Sequence, residues 1–280
     1  VRQTGADIRI GAEQQQHPSE LGCHTSNDNS LLFHNSADFG NGENSGGGRK
    51  PSELTFMLFV CVKPHIPLKL PGFWDFLAKG HFIDSIAASP LIIISPLAGV
   101  QMSSLKMSID SHFKDNFPFT IRLARIMPNT AVSVNAGCIG LTLHSSATSV
   151  SEEIVTLLNQ LGYCALVSED QLDAVVGVAG SGIAYVYSMI QAMADGGVLM
   201  GLPRQTAIKF AAQTAAGAAQ MVLRNNDGPI ALRDKVCSPG GTTITGLYAL
   251  EKGGFNAAVM AATEASTKKS QEFSKLSSRK

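Results

Sequence analysis

The sequence predicts an α/β layer followed by an all-helical domain, and three observations carry that expectation. Apolar runs of strand length, "TFMLFVCV", "PLIIIS", "IRLARIM" and "GCIGLTL", are spaced along residues 55–168. The early runs are apolar at every position instead of alternating, as strands are when both faces of their sheet are covered. From about Glu169 the strand signature stops, and long helical runs rich in alanine and methionine continue to residue 280.

Taken in order, residues 1–54 are polar, with "EQQQ", "SNDNS" and "NGENSGGGRK" and few periodic apolar positions. Such a composition buries too little surface to offset its ordering entropy, so most of this segment is expected to be disordered. Residues 55–168 hold the four strand candidates and one amphipathic helix, "VSEEIVTLLNQLG". Residues 169–280 contain "SGIAYVYSMIQAMADGGVLM" and "PRQTAIKFAAQTAAGAAQMVLRNN", joined by "GLP", where Pro203 suits a first helical position. The small residues from Ala211 to Ala219 let helix backbones approach closely, and a second copy of the chain is expected to cover the apolar sides that are left.

Composition narrows the function classes. With 44% hydrophobic residues in 280, the chain can build two ordinary cores. Its 22 basic and 22 acidic residues balance, and no basic block marks a nucleic-acid or anionic membrane surface. The apolar runs "FMLFVCV" and "LIIISPLAGV" are too short to span a bilayer, so no membrane partner is expected. No apolar stretch follows the charged residues at the start, so no signal peptide is expected either. Five scattered cysteines without CxxC spacing fit reduced thiols in an intracellular protein and imply no metal site.

The stretch "DKVCSPGGTTITGLYALEKGGF", Asp234 to Phe255, is the strongest local signal. Pro239 fixes its own backbone, Gly240 and Gly241 keep side chains out of the way, and a helix starting near Thr242 leaves its first N–H groups without intrahelical partners. That is a seat for an anion, although a capped turn with no ligand would use the same residues.

Six blocks in order, "FVCVKPH", "SPLAGV", "RIMPNT", "DAVVGVAGSGIAYVY", "ADGGVLMGLPRQTA" and "VCSPGGTTITGLYALEKGGF", resemble the signature blocks of the pyrroline-5-carboxylate reductase family, from about Thr55 to Glu272. The resemblance implies reduction of the cyclic imine 1-pyrroline-5-carboxylate to L-proline with NADPH or NADH. It also implies a Rossmann-like parallel sheet, truncated here, ahead of a helical dimerisation domain, in a homodimer or larger ring of dimers. By the same resemblance, Val62, Lys63 and Pro64, and the turn Pro96, Leu97 and Ala98, belong to the cofactor. The substrate would be held by Glu169, Ser238, Gly240, Gly241, Thr242 and Thr243, with the Thr243 hydroxyl as the catalytic contact to the ring nitrogen. The implied location is cytoplasmic, with mitochondria as the alternative.

Departures from the family pattern matter too. Residues 1–54 contain no strand running into G-x-G-x-x-G at a helix start, the family's pyrophosphate cradle, and "NSGGGRK" lacks the flanking elements to replace it. Ile183 replaces the proline of the family's SGSGPAY, Asn226 stands at an acidic position, and Lys235 stands where asparagine is expected. Two functions follow: a reductase whose first βαβ unit is missing, or a non-catalytic homologue that acts as a dimerisation or regulatory partner.

Overall fold

The computed structural model describes residues 30–35, 56–61, 91–112 and 120–278. Six strands form one sheet in sequential order: β1 (Ser30–Asn35), β2 (Phe56–Cys61), β3 (Leu91–Ser95), β4 (Ile121–Pro128), β5 (Gly137–Leu143) and β6 (Gly162–Leu166). The pairs β2–β3, β3–β4 and β5–β6 are parallel, whereas β1–β2 and β4–β5 are antiparallel. The sheet is therefore mixed. The four strands expected from sequence are β2 to β5, and "GYCAL" adds β6.

β1 falls inside the segment expected to lack order. The apolar trio Leu31, Leu32 and Phe33 interrupts the polar composition there, and the backbone of β1 pairs antiparallel with β2 from Ser30↔Cys61 to Asn35↔Phe56. The rest of the expectation for residues 1–54 lies outside the described residues.

Register explains why the early strands are apolar throughout. Met57, Ile92, Ile94, Ala124, Ile126, Ile139 and Leu141 form one face, covered by Ala147, Val150, Ile154, Leu157 and Leu158. The last three belong to α2 (Ser151–Leu158), the expected amphipathic helix. Leu58, Ile93 and Leu123 share the opposite face by register and are just as buried. Met102, Leu105 and Ile109, the buried apolar positions of α1 (Met102–His112), recur three and four residues apart along one side of that helix.

After β6 no further strand occurs among the described residues. α3 (Leu172–Val175) runs into a π-helical turn at Val176–Gly180. Then come α4 (Gly182–Leu199), α5 (Arg204–Arg224), α6 (Pro229–Lys235), α7 (Thr242–Lys252) and α8 (Phe255–Ser278). Pro203 is the N-cap of α5, one position earlier than expected. Two compact units divide the chain: residues 1–180 with 267–280, and residues 181–266.

Within the second unit, Ala194 of α4 packs against Ala207 and Ala211 of α5, with Ile190, Val198 and Ile208 around them. Ala211, expected on a face left for a second copy, is thus used inside the chain, while Ala212, Ala216, Ala218 and Ala219 are exposed. Large apolar side chains on this unit lie open as well, including Phe210, Leu223, Tyr248 and Met260. The helical stretch Glu169–Leu199 is long and apolar enough by length and composition to cross a membrane; its apolar 18-residue window has mean hydropathy 1.3, and 11% of that window is buried within the chain. That stretch is longer than either run weighed from sequence.

Candidate active site

In the first unit, Pro96, Leu97 and Ala98 follow β3 and lead to α1. Ser95 closes the strand; its hydroxyl accepts the N–H of Leu97 at 3.4 Å, and the N–H of Val100 donates to the Leu97 carbonyl at 3.4 Å. The Leu97 side chain points into the core at 4% exposure, so only its backbone is available to a ligand. Ala98 is exposed and Pro96 half-buried. A ligand at the carboxyl end of a parallel strand would meet this turn first. Val62, Lys63 and Pro64 lie outside the described residues.

Glu169 is engaged in the same unit. Its Oε1 accepts the N–H of Met102, the first residue of α1, at 2.7 Å and a bond from Arg125 Nη1 at 3.0 Å. Glu169 also borders an open groove of about 570 Å³ with Met102, Lys106, Thr142, His144 and Ser145. Arg125 was not singled out from sequence, although a charged residue in the middle of an otherwise buried strand was the available signal. Asn129, just after β4 within the "RIMPNT" block, also bridges segments: its Oδ1 accepts the N–H of Cys138 at 3.1 Å and its Nδ2 donates to the Ala179 carbonyl at 3.2 Å.

The second unit brings Ser238, Gly240, Gly241, Thr242 and Thr243 together. Gly240 has φ 67°, a left-handed conformation that glycine adopts without the penalty of a side chain. Gly241 is the N-cap of α7, and a Cβ there would overlap the Ser238 hydroxyl oxygen. Its N–H donates to the Ser238 carbonyl at 3.0 Å. The expected anion seat is accordingly narrower: the turn uses the Gly241 amide, and the helix start from Thr242 onward has no side-chain cap. Thr242 and Thr243 are both exposed.

Neighbouring residues are quiet. Lys235 pairs with Asp227 at 2.5 Å on the surface, and the Cys237 thiol donates to the Arg233 carbonyl at 3.2 Å. The glycine-rich start of α4 is braced within its own unit by a bond between the hydroxyls of Ser266 and Ser181, 2.6 Å long, and by Tyr185 donating to the Ala262 carbonyl at 3.1 Å.

Residues 169–273 match the family model described as pyrroline-5-carboxylate reductase dimerisation. Over 225 residues the chain is 37% identical to pyrroline-5-carboxylate reductase of Escherichia coli strain K12, an alignment spanning 80% of this chain and 77% of that protein. The chain belongs to the pyrroline-5-carboxylate reductase family. Pyrroline-5-carboxylate reductase 2 of Pongo abelii is 40% identical over 222 residues, 78% of this chain. The chain spans 64% of the length of that relative. Among solved structures of the family, the Plasmodium falciparum pyrroline carboxylate reductase with NADP bound superposes with a TM-score of 0.62 at 28% identity, over 77% of this chain and 80% of that one.

The residues fit a dinucleotide in part. The turn after β3 leaves Ala98 exposed and Pro96 half-buried at the end of a parallel strand, whereas no glycine-rich strand-to-helix turn for a diphosphate occurs among the described residues.

Proposed function

We propose that this chain serves the reduction of 1-pyrroline-5-carboxylate to L-proline with NADPH or NADH, as one subunit of a homodimer. One observation carries the reading: the Ser238–Gly241 turn delivers α7 with free first-turn amides and two exposed threonine hydroxyls. The substrate is a carboxylate beside a ring nitrogen. The amides of Thr242 and Thr243, at the positive end of the helix dipole, seat the carboxylate. The Thr243 hydroxyl both donates and accepts, so it holds the imine nitrogen before reduction and the amine afterwards. Pro96 and Ala98 present the surface for the nicotinamide ring, which when bound supplies the hydride. The large exposed apolar side chains of the helical unit, within the span of the dimerisation match, support a second copy as their cover.

Calorimetry with proline tests the seat. Thr243→Ala loses one hydrogen bond, about 1 kcal/mol for a neutral partner and up to about 3 for a charged amine, or roughly five- to a hundredfold in affinity. Thr243→Val keeps the branched volume and is expected to lose as much. Equal proline affinity in all three proteins would remove Thr243 from the site.

A second reading has its own support, the lack of G-x-G-x-x-G in residues 1–54: a non-catalytic subunit that pairs with complete reductases. Saturable NADPH binding by the purified full chain separates the first reading from this one.

A further inference from the structure

Three polar side chains are buried in the sheet, and register sets them in one row on one face: Ser95 of β3 opposite Arg125 of β4, and Arg125 opposite Thr142 of β5. Thr142 donates to the Val167 carbonyl at 2.8 Å, which ties the chain just after β6 to the row. Arg125 is its centre. The guanidinium side chain is 4% exposed and cannot shed its proton, so it needs a counter-charge. Glu169 supplies one through Oε1, and the same oxygen takes the Met102 N–H that opens α1. One carboxylate oxygen therefore links the middle of β4, the start of α1 and the segment after β6.

Stability alone is a poor reason for such a pair. A well-packed apolar pair fills the same space at no loss of stability in many proteins, whereas a charged, directional pair fixes where its partners sit. The element fixed here is the first turn of α1, which ends the turn that Pro96 begins. We propose that Arg125 and Glu169 are positioning residues, Arg125 acting through the Glu169 carboxylate to hold the Pro96–Gln101 turn in the shape that receives the nicotinamide. Glu169 thereby serves the site through the backbone of α1 instead of touching substrate. The inference rests on the cofactor reading of that turn.

The test compares three full-length proteins: wild type, Glu169→Gln, and Arg125→Met combined with Glu169→Leu. Glutamine keeps an oxygen able to accept both bonds. The double variant removes the bonds together with the buried cation, so no stranded charge prevents folding. Hydrogen exchange of the 97–105 backbone is expected to quicken about tenfold in the double variant, the size expected for losing a hydrogen bond to a charged group, and by less in Glu169→Gln, which keeps both acceptors but leaves the buried Arg125 without its counter-charge. NADPH affinity, read by its fluorescence, is expected to weaken about tenfold in the double variant and less in Glu169→Gln, with the unfolding midpoint of the double variant close to wild type. Equal exchange in wild type and double variant overturns the tie. Faster exchange with unchanged NADPH affinity overturns its service to the cofactor. A wild type that binds no NADPH removes the cofactor reading, while the exchange comparison still decides the tie.

Discussion

Cys164 and Gly162 show how closely β6 is fitted to its neighbour. The Cys164 thiol is 7% exposed within the sheet core, and burial, with the nearby Cys138 adding to it, pushes its pKa up to about 11. The folded chain keeps this proton through the range in which an unfolded cysteine, ordinarily near 9.0, gives it up. The contribution to stability is therefore intact below about pH 9 and lost as the pH climbs from about 9 to 11, in all about 2–3 kcal/mol. Urea unfolding across that range should show a shallower pH slope in Cys164→Ala than in wild type; identical slopes would reject the assignment. Gly162 has φ 141°, and a Cβ there would overlap the backbone of Gly137 across the strand pair. Gly162→Ala is expected to destabilise the chain by about 3 kcal/mol or more, read as a lowered urea midpoint, because the obstacle is main chain that cannot swing aside.

The candidate site was legible at this scale only where chemistry is local. Pro239, Gly240 and Gly241 ahead of two threonines announce a turn into a helix start, and the structure builds one, though the turn itself consumes the Gly241 amide. The Arg125–Glu169 pair joins residues 44 apart in sequence, and only register and folding reveal that they meet.

At the scale of elements, α5, α7 and α8 carry large apolar side chains that lie largely exposed, among them Phe210 at 61% and Met260 at 73%. Both are largely exposed, so a charge at either position is expected to act more on association than on the fold. Phe210→Glu and Met260→Glu are expected to weaken self-association on the order of a hundredfold, by burying an unpaired carboxylate where two copies meet. Sedimentation analysis would detect the shift to monomer, and an unchanged dimer in both would place the interface elsewhere. Strands β2 to β5 could be read from their unbroken apolar runs. β6 escaped because it opens with glycine and leaves Tyr163 and Leu166 exposed, which breaks the apolar signal. β1 escaped because three apolar residues within a long polar segment are too few to outweigh the composition around them.

For the whole molecule, the decisive question is whether the sheet can serve a dinucleotide without a glycine-rich cradle. β1 borders β2 antiparallel. Charge-assisted bonds to a diphosphate contribute several kcal/mol when even a few are made. Turnover of pyrroline-5-carboxylate by the 280-residue chain is therefore expected to be very slow, and to rise when a strand, G-x-G-x-x-G and helix are grafted ahead of Thr55. An absorbance assay of nicotinamide oxidation on both proteins decides it: brisk turnover without the graft would show that the cradle is dispensable.

The path of the chain through its two compact units also bears on the order in which they form. Residues 181–266 are inserted within the first unit, which is completed only when Ser270 and Ser274 of α8 return to the Asp173 carboxylate at 2.6 and 3.2 Å. Closing that long loop while it is still a coil would carry an entropic cost that grows with its length. Once the insert has folded, the hydroxyls of Ser181 and Ser266 hold its two ends side by side, and the coil that remains to be closed is short. The helical insert is thus placed to fold first and act as an internal template, so that lesions deep in α4 or α5 would slow completion of the first unit.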